Sequence, residues 1–162
     1  MARIAVPEWW KPVLKHVAGI SDFEPRTLRR FIPPLRSLSA HLNELEARRV
    51  TNVPYMRDRL QREAYLLYYV TSNFLKPDWP LREVWPGGLP HGTESFRVLD
   101  IGCGPGTGIA ALHAWCDRVH PVQSISVRGL DAVETNAAPY REMGQALRVS
   151  TGHAIDCDAA VG

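Results

Sequence analysis

A short apolar segment that runs directly into a glycine-rich turn constrains this chain more than any other feature. Residues 96–101 are β-prone and largely apolar, and Gly102-Cys-Gly-Pro-Gly-Thr-Gly108 follows them without a spacer. Residues 109–115 then contain three alanines, which are strong helix formers. Because glycine permits positive φ and lets the backbone pass close to a ligand, the pattern predicts a strand, a turn and a helix with a polar ligand at the helix start.

A second unit of the same kind follows the first. Residues 124–130 have the composition of a strand that ends at Asp131, and residues 132–147 that of a helix, although Pro139 and Gly144 lie inside it. Alternating strands and helices predict parallel strands joined by right-handed crossovers. One such passage needs about 30 residues, so the 67 residues from Phe96 onward hold two strand–helix units and the start of a third strand. The expected fold class is α/β, an incomplete Rossmann-like parallel sheet.

The chain before this sheet has helical periodicity. Leucines at spacings of three, four and three form one stripe: Leu35, Leu38, Leu42 and Leu45. A longer stripe on a second helix comprises Tyr55, Met56, Leu60, Ala64, Leu67, Thr71 and Phe74. Ser21-Asp-Phe-Glu24 has capping-box spacing before Pro25, and Pro33-Pro34 and Val53-Pro54 are expected to separate helices. A helical N-terminal region is therefore expected to precede the sheet.

Proline and glycine predict a connection between the two parts. Lys76-Pro-Asp-Trp-Pro80 and Trp85-Pro-Gly-Gly-Leu-Pro90 are typical of loops. The expected organisation is a helical N-terminal region at residues 1–85, a linker at 86–95 and a partial Rossmann-like domain at 96–162.

Two acids stand at the carboxyl ends of neighbouring predicted strands. Asp100 precedes the glycine turn and is placed to receive a cation, while Asp131 could accept two ribose hydroxyls. Asp131 lies 25 residues after Gly106, near the spacing of the ribose-binding acid in nucleotide-binding units. The dinucleotide fingerprint fits only as Gly106-Thr-Gly-Ile-Ala-Ala111, six residues beyond Asp100, so a nicotinamide oxidoreductase is the weaker alternative.

Val98-Leu-Asp-Ile-Gly-Cys-Gly-Pro-Gly106 resembles motif I of the class I S-adenosylmethionine-dependent methyltransferases, and Gly129-Leu-Asp131 resembles their ribose-binding strand end. The resemblance covers about residues 95–150 and implies the N-terminal half of that fold, methyl transfer, and S-adenosylmethionine as cofactor. It implies that the glycines approach the methionine part, that Asp100 orients the amino group and that Asp131 holds the ribose. The implied cofactor-binding residues are Asp100, Gly102, Cys103, Gly104, Gly106 and Asp131. Asp156 and Asp158 could supply the acid that family members place after the third strand, or they could be two loop aspartates.

The resemblance also shows what the sequence lacks. A full class I sheet has seven strands with the motif I strand in the middle, whereas here that strand would lie at an edge. Val98, Leu99 and Ile101 would then form an unpaired apolar ladder, which folded proteins avoid. Either the chain is a fragment or a second chain covers the edge. No Asn-Pro-Pro-Tyr or Asp-Pro-Pro-Tyr segment is present, so the methyl acceptor and the catalytic residues stay unassigned.

A further resemblance concerns the helical part. Arg62-Glu-Ala-Tyr-Leu-Leu-Tyr-Tyr-Val-Thr-Ser-Asn73, followed by a linker and motif I, is similar to the methyltransferase-like assembly factors of the small ribosomal subunit. Residues 1–62 carry 12 Lys/Arg and 6 Asp/Glu, whereas residues 63–162 carry 7 and 11. The alternative function is thus a non-catalytic RNA-binding or ribosome-assembly protein that binds RNA through its basic N-terminal helices. A solvated helical surface explains the same charges, and packing explains Tyr65, Tyr68 and Tyr69.

Composition favours a cytoplasmic protein. The three cysteines form no Cys-x-x-Cys pair, and His113 and His120 have no third ligand at zinc spacing, so neither disulfides nor a metal site is expected. No apolar run approaches the ~20 residues that span a bilayer, and the first ten residues lack the apolar core of a signal peptide. A membrane anchor is therefore not expected.

Overall fold

The computed structural model describes residues 5–48, 58–90, 93–119 and 124–162. The expected helical N-terminal region is confirmed. Its helices are α1 (Trp10–Val17), α2 (Pro25–Leu28), α3 (Ile32–Arg48), α4 (Arg59–Tyr65), α5 (Thr71–Asn73) and α6 (Asp78–Val84). A 3-10 turn (Arg29–Phe31) joins α2 to α3, and a π-helical turn (Leu66–Val70) joins α4 to α5.

The second half alternates strands and helices, as predicted. Its elements are β1 (Ser95–Ile101), α7 (Thr107–Val119), β2 (Ser124–Asp131), α8 (Ala137–Thr151) and β3 (Ala154–Val161). Among the described residues the sheet has three strands in the order β1-β2-β3, and both pairings are parallel. The protein is thus mixed α/β, and the third strand, of which the sequence predicted only the start, has eight residues.

One face of the sheet is covered by helices. Ile125 and Val127 of β2 and Ile155 of β3 are buried against α7 and α8. Since side chains alternate along a strand, Asp100 lies on this covered face, level with its register partner Gly129.

The other face and the outer edge of β1 are open in the described part of the chain. Leu99 is 56% exposed and Ile101 is 77% exposed. The expected apolar edge is therefore present at these two residues. Val98 was expected in the same ladder, but it packs against the helix-side core, because it alternates to the covered face.

The N-terminal helices share a hydrophobic core with the sheet. Trp10 of α1 is 1% exposed, and its ring stacks on Phe74 with centroids 4.4 Å apart. Both residues belong to the same cluster of buried side chains as Trp115 of α7 and Tyr140 of α8. The helical region is thus packed onto the α/β unit rather than held at a distance.

Prolines start helices here where the sequence predicted breaks. Pro33-Pro34 lies in the first turn of α3 instead of separating two helices, because a helix needs no N–H donors from its first residues. Likewise, the predicted loop Lys76-Pro-Asp-Trp-Pro80 contains the start of α6, with Pro80 in its first turn. Val53-Pro54 and the adjoining Tyr55 and Met56 lie outside the described residues.

The helix start at Pro25 is confirmed, but the expected capping box does not form. Asp22 replaces it: its Oδ1 accepts from the Glu24 N–H at 3.0 Å, and its Oδ2 accepts from the Ser21 hydroxyl at 2.8 Å. Hydrogen bonds from Thr27, Glu24 and Ser21 lower the pKa of Asp22 to about 2. The aspartate inside the motif therefore shapes the turn before α2.

The leucine stripe and the three tyrosines of the second helical segment have different outcomes. Leu38 is buried, as its stripe requires, but Tyr68 is 56% exposed on the π-helical turn and packs no helix against the sheet. Tyr65 packs against the core that includes the sheet, as the packing explanation requires, and both Tyr65 and Tyr69 pack against the smaller N-terminal core. No helix in the described ranges has both the length and the apolar character to cross a bilayer.

Candidate functional site

The turn after β1 is built by three glycines with positive φ. Gly102, Gly104 and Gly106 have φ of 72°, 53° and 108°. Residues other than glycine rarely adopt positive φ, so the three alternating glycines allow the chain to reverse its direction within five residues. The N–H groups of Gly102 and Cys103 both donate to the Leu130 carbonyl, at 2.8 and 3.1 Å. The turn is therefore attached to the end of β2 as well as to β1.

The two sides of this turn differ. A Cβ atom built on Gly102 or Gly104 would meet no described atom within 4 Å. A Cβ atom on Gly106 would lie 2.8 Å from Cγ of Met143 in α8. The first two glycines thus present bare backbone to an open side where a ligand can approach, whereas the third is needed for packing.

Asp131 binds the turn directly. Its Oδ2 accepts from the Gly104 N–H at 2.7 Å, and its Oδ1 accepts from the Val133 N–H at 2.7 Å and from Asn136 Nδ2 at 3.1 Å. Sequence reasoning missed this bracing role, although an aspartate bonding the N–H two residues ahead is a common turn device. The predicted ligand carboxylate is therefore already positioned by three protein donors.

Asp100 sits behind the turn, enclosed by two helices. The hydroxyl of Tyr140 in α8 donates to its Oδ2 at 3.2 Å. On the α7 side, a Cβ atom on Gly108 would collide with the same carboxylate. Burial raises the pKa of Asp100, the hydrogen bond from Tyr140 lowers it, and the negative charge of Asp131 raises it.

Asp100 and Asp131 lie on the same side of the sheet. Asp131 lies two positions after Gly129, the register partner of Asp100, so both carboxylates alternate to the helix-covered face. They are close enough for the charge of Asp131 to act on Asp100. The structure thus brings together the glycine turn and both acids, in the grouping that the sequence predicted.

Cys103 contributes packing and a backbone donor rather than a reactive thiol. It is 3% exposed, and burial, followed by the charges of Asp100 and Asp131, raises its pKa to about 12. A Cβ atom on Gly129 would lie 2.8 Å from its Sγ. Because only the thiolate is a strong nucleophile, this cysteine is inert near neutral pH.

A groove of about 190 Å³ leads to Asp100 from the open edge of β1. Its walls are apolar side chains of α6, α7 and β1, including Leu81, Leu99 and Leu112. Asp100 is the one charged residue among the described residues that line it. A ligand with a cationic end and an apolar body matches this lining.

The two other candidate acids lie elsewhere. Asp156 and Asp158 are within β3, at exposed positions that alternate with the buried Ile155 and Ala159. They are neither loop residues nor acids that follow the third strand, and their backbone positions point away from the face of Asp100. Asp158 accepts from Arg141 Nη1 at 3.2 Å, so this pair joins β3 to α8.

His113 is a core residue. It is fully buried, with Nε2 at 3.1 Å from Oγ1 of Thr151 and 3.2 Å from Nδ1 of His153. The part of the chain that the structure describes holds no group of three or more His, Cys, Asp or Glu that could bind a metal ion. His120 lies outside the described residues.

The candidate site therefore consists of Asp100, the three turn glycines, Cys103 and Asp131, together with Tyr140, which the sequence did not predict.

No family model matches the chain, and neither the search of the curated proteins nor the search of the solved structures found a match to it.

Proposed function

We propose that this chain is an S-adenosylmethionine-dependent methyltransferase, or the cofactor-binding N-terminal part of one, with its sheet forming the first half of a class I Rossmann-like fold. One observation carries the proposal. A turn with two bare glycine positions, Gly102 and Gly104, lies between two carboxylates on the same face of a parallel sheet. Ligands of such sheets bind at the carboxyl ends of the strands, which is where this group lies.

The chemistry of the two carboxylates suits this cofactor. Asp100 would bind the amino group, because it is the one charged residue among the described residues that line the groove and a cation beside it favours its ionised form. Asp131 would bind the ribose. A carboxylate has about four acceptor positions, and three on Asp131 are used by protein donors. The turn as it stands therefore leaves room for one ribose hydroxyl and not for the two expected from the sequence.

When bound, the cofactor supplies a methyl group on a sulfonium, which is a good leaving group. The contribution of these residues is then to bind and align, and alignment alone can lower a barrier by several kcal/mol. The methyl acceptor and any catalytic acid or base are unassigned. The outer side of β1 would be paired by further strands of a longer polypeptide or by a second chain.

Calorimetric titration with S-adenosylmethionine tests the proposal. Asp100→Asn should weaken binding at least tenfold, because it removes the charge that faces the ammonium. Asp156→Asn is the matched control, since it removes a carboxylate from an exposed position of β3, and it should bind like the wild type. Equal affinity in the wild type and Asp100→Asn would reject the role of Asp100, and binding of NAD instead of S-adenosylmethionine would favour an oxidoreductase.

An RNA-binding or ribosome-assembly protein is the second candidate. Cationic side chains on the first three helices and on the 3-10 turn between α2 and α3 are exposed: Lys11, Lys15, Arg26, Arg29, Arg30 and Arg36. If they contact phosphates, the affinity for a single-stranded RNA should fall steeply with salt, and Arg29→Glu with Arg36→Glu should flatten that dependence. Arg148→Glu, an equally exposed change on α8, is the control. A salt-independent affinity would exclude this candidate.

A further inference from the structure

Two helices and a strand make room for one carboxyl group. Asp100 lies between α7, where Gly108 has no side chain, and α8, where Tyr140 donates to it. Asp131 already has three protein donors, whereas the hydroxyl of Tyr140 is the one protein side-chain donor to Asp100 among the described residues. The orientation of Asp100 therefore depends on a single contact.

Tyr140 is itself fixed by its surroundings. It is fully buried, and it is the fourth residue of α8. A Cβ atom on Gly129 would lie 2.9 Å from its ring, so the strand position level with Asp100 must be glycine for the ring to fit. Gly108 thus leaves room for the carboxylate of Asp100, and Gly129 leaves room for the ring of Tyr140. The two glycines accommodate the two partners of one hydrogen bond.

We propose that Tyr140 is a positioning residue for Asp100, and that its buried hydroxyl orients the carboxylate and keeps it ionised for the ammonium group of the cofactor. The inference rests on the proposed function for the identity of the ligand. The contact between the two side chains stands independently of it. A buried carboxylate without a donor is costly to ionise, so the hydroxyl decides how readily Asp100 takes a cation.

None of the other groups named around Asp100 supports its ionisation. Asp131 at the end of β2 raises its pKa, and the neutral thiols of Cys103 in the turn and Cys157 on β3 add no positive charge. From α7 it faces the backbone of Gly108. Tyr140 is the member of this group that lowers the pKa of Asp100.

Tyr140→Phe, which removes the hydroxyl and keeps the ring, is the test. Without its donor Asp100 holds its proton to a higher pH, so the affinity of Tyr140→Phe for S-adenosylmethionine should be severalfold weaker than that of the wild type at acidic pH and should approach the wild-type affinity near pH 8. Tyr68→Phe, an exposed hydroxyl outside the site, should leave the whole profile unchanged. A loss of affinity that is equal at both pH values indicates a purely structural role and overturns the inference.

A measurement without ligand separates this inference from the proposed function. In protein labelled with ¹³C at aspartate carboxyls, the titration midpoint of Asp100 should be higher in Tyr140→Phe than in the wild type. The inference then stands even if S-adenosylmethionine does not bind, and an unchanged midpoint overturns it even if the cofactor binds. Should Tyr140→Phe not fold, the ring resonances of Tyr140 in the wild type should follow the titration of Asp100, and their independence of it would overturn the inference as well.

Discussion

At the scale of single residues, the glycines near the site serve two different purposes. Gly102 and Gly104 leave the backbone bare on an open side, while Gly106, Gly108 and Gly129 make room for neighbouring side chains. Because all five positions are glycine, the sequence alone does not distinguish the two purposes. Substitution by alanine separates the two groups, because only the second group meets atoms on the added carbon.

Gly106→Ala should therefore be far more destabilising than Gly104→Ala. Both substitutions place a side chain at positive φ, which costs about 1 kcal/mol, but alanine at 106 also collides with Met143. Urea unfolding should show a loss of about 3 kcal/mol for Gly106→Ala and about 1 kcal/mol for Gly104→Ala. Equal losses would contradict the two-sided description of the turn.

His113 couples stability to pH. Burial, with the adjacent His153, lowers its pKa from 6.5 to about 4, so the folded protein keeps this ring neutral. The unfolded chain binds more protons between these values. The free energy of unfolding must therefore fall as the pH drops through this range, by up to about 3 kcal/mol from His113.

His113→Gln should flatten that dependence, because glutamine does not titrate. Denaturant unfolding at a series of pH values between about 4 and 6.5 measures the slope for each variant. His16→Gln alters an exposed histidine on α1 and should retain the wild-type slope. If His113→Gln is as pH-sensitive as the wild type, the burial of His113 does not govern acid stability.

At the scale of elements, β1 is one of the two edge strands of the described sheet and carries exposed apolar side chains. Its outer backbone edge has no described partner, and the helices cover one face of the sheet in the described ranges. Parallel sheets are normally covered on both faces, so the exposed Leu99 and Ile101 mark a surface suited to a further strand or chain.

Ile101→Lys should reduce self-association without unfolding the protein. The side chain is 77% exposed, so the change should alter stability by less than about 0.5 kcal/mol. Val149→Lys, on α8, replaces an equally exposed residue away from the sheet edge and serves as the control. Sedimentation velocity at rising concentration should show weaker association for Ile101→Lys alone. Identical behaviour of the two variants would mean that the open edge attracts nothing.

The elements that could be predicted from sequence were those with a strong local period. The strand–turn–helix at Gly102, the second strand and the second helix followed from composition and spacing, although that helix was predicted at residues 132–147 and runs from Ala137 to Thr151. The errors fell on prolines, since Pro33 and Pro80 read as breaks and instead occupy first turns of helices. A proline has the same local preference before a helix as between two helices, so only tertiary packing distinguishes the cases.

At the scale of the whole molecule, the helical region and the sheet are joined through one core. Trp10 and Phe74 pack in the same cluster as Trp115 and Tyr140. The sequence suggested a linker at residues 86–95, and nothing in local composition reveals that residues before it complete the core of the residues after it. The site could be predicted for Asp100, Asp131 and the glycines because they follow strand ends, whereas Tyr140 could not, because its partner is 40 residues away.

This shared core predicts that both parts unfold together. Trp10→Ala should cost about 4 kcal/mol and lower the hydrogen-exchange protection of β2 as much as that of α4. Trp79→Ala, at a 67% exposed tryptophan, should change neither. Loss of protection in α4 alone would show that the two parts unfold independently.

The bond between Asp131 and the Gly104 N–H has a consequence for how fast a ligand is captured. A turn of five residues left loose would sample many shapes, and most encounters would meet the wrong one. Here a side chain from the neighbouring strand selects one shape during folding. For the proposed cofactor, the association rate would then be set by diffusion and orientation instead of by waiting for a rearrangement of the turn.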